Sequence, residues 1–212
     1  MARAGGELSR RNLRLTTRSL YLHDSLIGDH EPMALSHVVF YRNMNLGHRG
    51  SPTRAVLEGA LLDAGAATAR SFQTNGTVVV TVDGEPPAEV VVRAAPALAE
   101  AVGYQDAAFV RPFDELVGVL TREPFAGHID ETTYRETFTF FDGGNPVELD
   151  LPWTSPLGDL DIIEVHPGYA LSVVRLRGQA SGDPNSVLQK LTGVPATTRT
   201  AGTIRRLAKS FT

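Results

Sequence analysis

The stretch ARSFQTNGTVVVTV, residues 69–82, decides the fold, because two strand-like runs, Ala69–Gln73 and Thr77–Val82, flank Thr74-Asn75-Gly76. Asparagine and glycine both tolerate the positive φ that a type I′ turn needs, so Asn75-Gly76 predicts a hairpin. Working outward towards the N-terminus, Val56, Leu57, Ala60, Leu61 and Ala64 recur at helical spacing and Gly65 supplies the stop. Ser51 as cap and Pro52 at the first helical position predict where that helix starts. Before it lie a polar loop, Asn43–Pro52, and a β-branched and aromatic run, His37–Arg42 (HVVFYR), suited to a buried strand. On the other side a Gly-Pro turn at Gly84–Pro87 leads into a helix over Ala88–Val102, ended by Gly103, and then a strand, Ala107–Arg111. The order is β-α-β-β-α-β, the ferredoxin-like arrangement in which two helices cover one face of an antiparallel sheet.

Residues 36–111 make up this half, and residues 112–212 read as a second α+β half packed on it as one unit. The expected fold class is therefore α+β, two packed ferredoxin-like halves with antiparallel sheets covered by helices. In the second half the pattern predicts a helix over Phe113–Leu120, a strand over Arg135–Phe141 and a strand pair, Asp161–His166 with Ala170–Arg175, around Pro167-Gly168. Asn185–Leu191 and Thr198–Lys209 are expected to be helical, and Asp142–Pro156, which holds Trp153 among prolines, to be a loop with one short strand. Residues 1–35 carry Arg3, Arg10, Arg11, Arg14 and Arg18 but no sustained period except a short run from Leu13 to Leu26, and read as an N-terminal extension, partly helical, docked or disordered.

Composition narrows the function classes. A hydrophobic fraction of 42% and a charged fraction of 21% are those of an ordinary globular protein. The formal net charge of -4 does not attract polyanions, so nucleic acid is not a favoured partner. Having no cysteine, the chain can form no disulfide, thiolate metal site or cysteine nucleophile. No apolar run approaches the roughly 18 residues that span a bilayer, so no membrane association is expected and the cytoplasm is the expected location.

The chemistry-bearing candidates each have a plain structural alternative. Arg42, Arg49 and Arg54 around a loop containing Gly47 and Gly50 suit an anion at the start of the following helix, or else a strand-to-helix turn. The loop has neither the Walker A ending nor GxGxxG spacing. Thr197-Thr198-Arg199 at a helix start suits phosphate or carboxylate, or else an ordinary N-cap. The six histidines show no metal-ligand spacing, so no metal and no cofactor is expected. Glu164 and His166, two apart on a strand, share one face and could act as an acid/base couple if that face lines a cleft.

Three segments, FYRNMNLGHRG (Phe40–Gly50), RSFQTNGTVVV (Arg70–Val80) and GVPATTRTAGTIRRLA (Gly193–Ala208), make the chain resemble the bacterial family called domain of unknown function 1697. FVRPFDELVGVLTREPF (Phe109–Phe125) looks like that family's middle segment. The resemblance implies paired ferredoxin-like halves and no established activity. Arg42, Asn45, Gly47, Gln73, Thr197, Thr198, Arg199 and Thr203 match the family's pattern. Asn43 and His48 stand where it has glycine, Thr74-Asn75-Gly76-Thr77 replaces its serine-glycine-asparagine turn, and Thr200 and Gly202 occupy two asparagine positions.

The reading that follows is a non-catalytic binding protein for an anionic small molecule bearing phosphate or carboxylate. Its candidate ligand-binding residues are Arg42, Asn45, Arg49, Gln73, Thr198 and Arg199. The alternatives are an enzyme acting on a small metabolite in the cleft between the halves, which leaves catalysis undecided, and a structural or protein-interaction module.

Overall fold

The computed structural model describes residues 36–211. The expected extension over residues 1–35 lies outside the described residues.

The first half runs β1 (His37–Tyr41), α1 (Arg54–Asp63), β2 (Thr68–Phe72), β3 (Thr77–Thr81), α2 (Pro87–Val102) and β4 (Ala108–Pro112). Its sheet has the order β2-β3-β1-β4 with every pair antiparallel, which is the ferredoxin-like order. Two local expectations are corrected. The cap of α1 is Thr53, whose side chain accepts from Val56 N–H, rather than Ser51; Pro52 stays in the loop, its carbonyl accepting from Gly47 N–H. The hairpin pairs Phe72 with Thr77, so its loop is Gln73–Gly76, with positive φ at Gln73 (59°) and Gly76 (66°) rather than at Asn75. Packing imposes glycine at 76, because a Cβ there would lie 2.7 Å from Met44 Cβ.

The second half runs α3 (Phe113–Thr121), β5 (Thr133–Phe141), β6 (Trp153–Thr154), β7 (Leu160–His166), β8 (Tyr169–Arg177), β9 (Ala180–Ser181), α4 (Pro184–Thr192), β10 (Ala196–Thr200) and α5 (Ala201–Phe211). Its main strand path is β10-β5-β8-β7-β6, and β9 pairs with the end of β8. With β5, β7, β8 and β10 in the places of β1, β2, β3 and β4, the ferredoxin-like order recurs and α4 corresponds to α2. The counterpart of α1 is missing, since the chain between β5 and β7 forms a loop and the short β6.

The expected helix over Thr198–Lys209 is corrected, because residues Ala196–Thr200 pair with β5 as an edge strand. The β-branched run Thr197-Thr198 beside Phe140 and Thr139 favours the pleated surface, and Thr200 then caps α5 by accepting from Thr203 N–H.

Alternation on the strands sets the layers. Val39, Tyr41, Val78 and Val80 face Leu57, Leu61, Val90, Ala94 and Leu98 of α1 and α2. The opposite face of the first sheet, Val38, Phe40, Val79 and Phe109, packs on Phe138, Phe140, Leu171 and Val173 of the second, with α3 and α5 adding Leu116, Val119, Ile204 and Leu207. The outer face of the second sheet is covered near Phe141, Ala170 and Ala196 by Leu188 of α4.

Candidate functional site

Arg199 points from β10 into the contact between the sheets, where it is buried. All five of its N–H donors are used: Nε on Thr77 Oγ1 (3.0 Å), one terminal nitrogen on Thr197 Oγ1 and Thr198 O (2.9 Å each), the other on Tyr41 O (2.9 Å) and Asn75 O (2.6 Å). Its guanidinium carbon lies 5.7 Å from the centre of the Phe40 ring. Burial pushes its pKa down to about 10, so it remains charged at neutral pH, held by carbonyl and hydroxyl oxygens and a ring face.

Arg42 crosses the same seam in the opposite direction. It meets both carboxylate oxygens of Asp106 (2.9 and 3.0 Å), Ala196 O (3.3 Å) and Gln189 Oε1 (3.1 Å), which leaves one N–H unused. Burial raises the Asp106 carboxyl, but the bonds from Arg42, Ala107 N–H and Asn43 Nδ2 outweigh it and hold the pKa below the usual range. Asn43 has φ 52°, which explains how asparagine can stand where the resemblance places glycine.

A third arginine was not singled out from the sequence. Arg111 on β4 is buried and donates to Phe141 O and Gly168 O in the second half and to Asp142. Residue 168 has φ 93°, which favours glycine, and a Cβ there would lie 2.5 Å from the Arg111 guanidinium and displace it. The available signal was an arginine within an otherwise apolar strand, AFVRP.

The other candidates are dispersed. Asn45 and Arg49 are exposed on the loop after β1, which closes on itself through His48 N–H to Asn45 O and Asn45 N–H to Ser51 Oγ. Gln73 is exposed, its carbonyl accepting from Arg54. Thr198 faces the outer side of the second sheet, bonded to Thr139 Oγ1 and Asn185 Oδ1 (2.8 Å each). The structure thus gathers Arg42, Arg199 and the Gln73–Gly76 loop at one end of the seam, but engages the two arginines internally.

Beside that end lies a groove of about 490 Å³ between α2 and the segment entering β4. Val91, Ala95, Pro96 and Ala99 form one wall, and Tyr41, Tyr104 and Asp106 form its polar end. The Tyr104 hydroxyl donates to Arg42 O (2.7 Å), and its ring meets that of Tyr41 edge-on at 5.9 Å. The Tyr41 hydroxyl is buried without a hydrogen-bond partner, and burial holds its pKa far above the ordinary phenol value.

Glu164 and His166 do meet, at 2.7 Å, with Arg122 on the same carboxylate at 3.0 Å and the imidazole stacked on Tyr169. Burial raises Glu164, but Arg122 and His166 outweigh it and lower its pKa. His166 borders a shallow, glycine-rich cleft with Gly143, Gly144 and Gly168. Among the described residues no group of three or more His, Asp or Glu could hold a metal ion, and no helix is long and apolar enough to cross a membrane.

These features define a mixed α/β protein of two face-to-face antiparallel sheets joined by a core and by arginines exchanged in both directions. A family model described as a protein of unknown function (DUF1697) matches residues 35–151, more than half of the chain, and the chain belongs to that family. No curated protein matches it. Among solved structures it is similar to the conserved bacterial protein SP0830 from Streptococcus pneumoniae, at 16% identity and a TM-score of 0.53. The likeness covers 82% of this chain and 97% of that one, and concerns the fold alone.

Proposed function

We propose that this protein is a non-catalytic small-molecule-binding protein and that its site is the groove between α2 and the entry to β4. The observation that carries this reading is the Tyr41 hydroxyl, buried in a residue that lines the groove and bonded to nothing in the protein. Buried polar groups are nearly always paired, so this hydroxyl, itself out of solvent contact behind the groove's wall, would gain its missing partner from an occupant that reaches it. The aliphatic wall selects a largely apolar body, and the polar end selects a head group that hydrogen-bonds to a phenol. Arg42 keeps one unused N–H, but it does not line the groove, and its partner Asp106 places a carboxylate at the polar end. Arg199 has no such donor. An enzyme working between the halves is less well supported, because Phe40, Phe138 and Phe140 fill that contact.

Anilinonaphthalene sulfonate, an apolar ring system with an anionic head, tests the site. Wild-type protein should enhance its fluorescence under native conditions. Ala95→Trp, which fills the groove from an exposed position, should abolish the enhancement without lowering the melting temperature. Enhancement that persists unchanged in Ala95→Trp would remove the groove as the site.

A further inference from the structure

The outer faces of the two sheets differ in a way that the fold does not require. On the first, Val39, Tyr41, Val78 and Val80 are roofed by α1 and by the 16-residue α2. On the second, the counterpart of α1 is missing and α4 has only 9 residues. Past the start of α4 the face carries hydroxyls: Thr198 pairs with Thr139, Thr200 with Thr137, and Thr137 with Ser172 across neighbouring strands.

A cleft of about 310 Å³ opens there, lined by Tyr134, Arg135, Thr137, Asp183, Thr198 and Thr200. Ser172 is fully buried on this face, directly across from Thr137 and two residues from Val174, which also lines the cleft, and its Oγ has no hydrogen-bond partner. Tyr134 is 43% exposed, with the Arg135 guanidinium 4.4 Å from its ring centre.

The lining offers donors and acceptors in mixture. Thr137 and Thr198 spend their protons on Ser172 O and Asn185 Oδ1 and Asp183 caps α4, so these groups offer spare lone pairs, while Arg135, with one nitrogen on the Tyr134 hydroxyl, keeps further N–H groups to donate. The positive and negative groups offset one another, so the cleft favours neither an anion nor a cation. An exposed aromatic ring beside such a mixture suits a molecule with apolar C–H faces and hydroxyl edges. The volume lies at the small end of ligand pockets. We infer that this cleft binds a neutral polyhydroxylated molecule of monosaccharide size, at a site separate from the groove lined by Tyr41.

Saturation-transfer NMR with glucose, galactose and myo-inositol tests this on the full chain. At least one of the three should receive saturation from the wild-type protein. Tyr134→Ala and, separately, Thr198→Val should each weaken that interaction about tenfold, the scale of one to two lost contacts. Ala95→Trp, at the other site, should leave it unchanged. If Thr198→Val loosens α4, Tyr134→Ala, at an exposed position, still decides the matter. No transfer to any of the three sugars, or transfer equally strong in Tyr134→Ala, would overturn the assignment.

Discussion

The ring of Phe40 lies 4.0 Å from that of Phe140 and within 9° of parallel, one from each sheet. Both rings are fully buried, and Phe138 stacks on Phe140 in turn. This pair is the centre of the contact between the halves. Arg199 covers the Phe40 side and Arg111 the Phe140 side, at 5.7 and 5.9 Å from the ring centres.

Replacing either ring by alanine removes its transfer energy and leaves a cavity that neighbouring strands cannot close. Phe40→Ala and Phe140→Ala should each destabilise the protein by about 3–5 kcal/mol in urea unfolding. Because the two rings touch, the double variant should lose less than the sum. Full additivity would mean that the halves do not depend on this contact.

The two seam arginines should respond differently. Arg199→Met keeps the volume but takes a partner from the buried Tyr41 O and from the partly buried Asn75 O and Thr198 O, and should cost at least about 3 kcal/mol. Arg199→Lys should recover less than half of this, since an ammonium cannot reproduce a planar fork serving five acceptors. The Arg42 side chain is 28% exposed, and Arg42→Ala should cost about 1–2 kcal/mol. Thermal or urea unfolding in which Arg42 proves the more damaging loss would contradict the arrangement of both side chains.

Asp106 gives the seam a pH dependence with a definite sign. Its folded-state pKa is lowered by Arg42, Ala107 N–H and Asn43 despite the opposing effect of burial. The stability it contributes is therefore present above the unfolded value, about 3.9, and is lost as pH falls through the lower folded value. Asp106→Asn should melt below wild type at pH 7, and the gap should shrink steadily below about pH 4. A gap that stays constant down to acid would show that Asp106 acts by shape and not by charge.

Much of the first half was legible because its signals are local. The valine run, the Gly65 and Gly103 stops and the Asn-Gly sequence each act over a few residues. The loop conformation was less so, since positive φ fell on Gln73, held by its carbonyl's bond to Arg54, 19 residues away. The last strand was misread for a related reason. Residues 198–209 have helical spacing, but Thr198 and Arg199 are claimed by pairing with β5, a partner about 60 residues earlier that spacing cannot reveal. The site shows the same limit: Arg42 and Arg199 were found as polar residues in a recognisable pattern, yet their partners are mostly backbone carbonyls, which carry no sequence signature. The groove was not found at all, because Tyr41, Ala95, Ala99 and Tyr104 read simply as core and helix.

Tyr41 separates an occupied groove from an accident of packing. Its hydroxyl has no partner in the protein, whereas its ring meets that of Tyr104 edge-on. Tyr41→Phe therefore keeps the ring and deletes only an orphaned polar group. An unpaired buried hydroxyl is itself destabilising, so the free variant should be as stable as wild type or more stable, by up to about 1 kcal/mol, and its melting temperature should not fall. If the groove's ligand supplies the missing partner, the same change should weaken binding of anilinonaphthalene sulfonate about tenfold, the loss of one hydrogen bond. Both measurements use the same two proteins. Should the free variant melt several degrees lower, the hydroxyl is already paired, through water, and no longer argues for a ligand. Should the variant keep its stability and bind the probe as tightly as wild type, the groove binds by its aliphatic wall alone and Tyr41 plays no part in recognition.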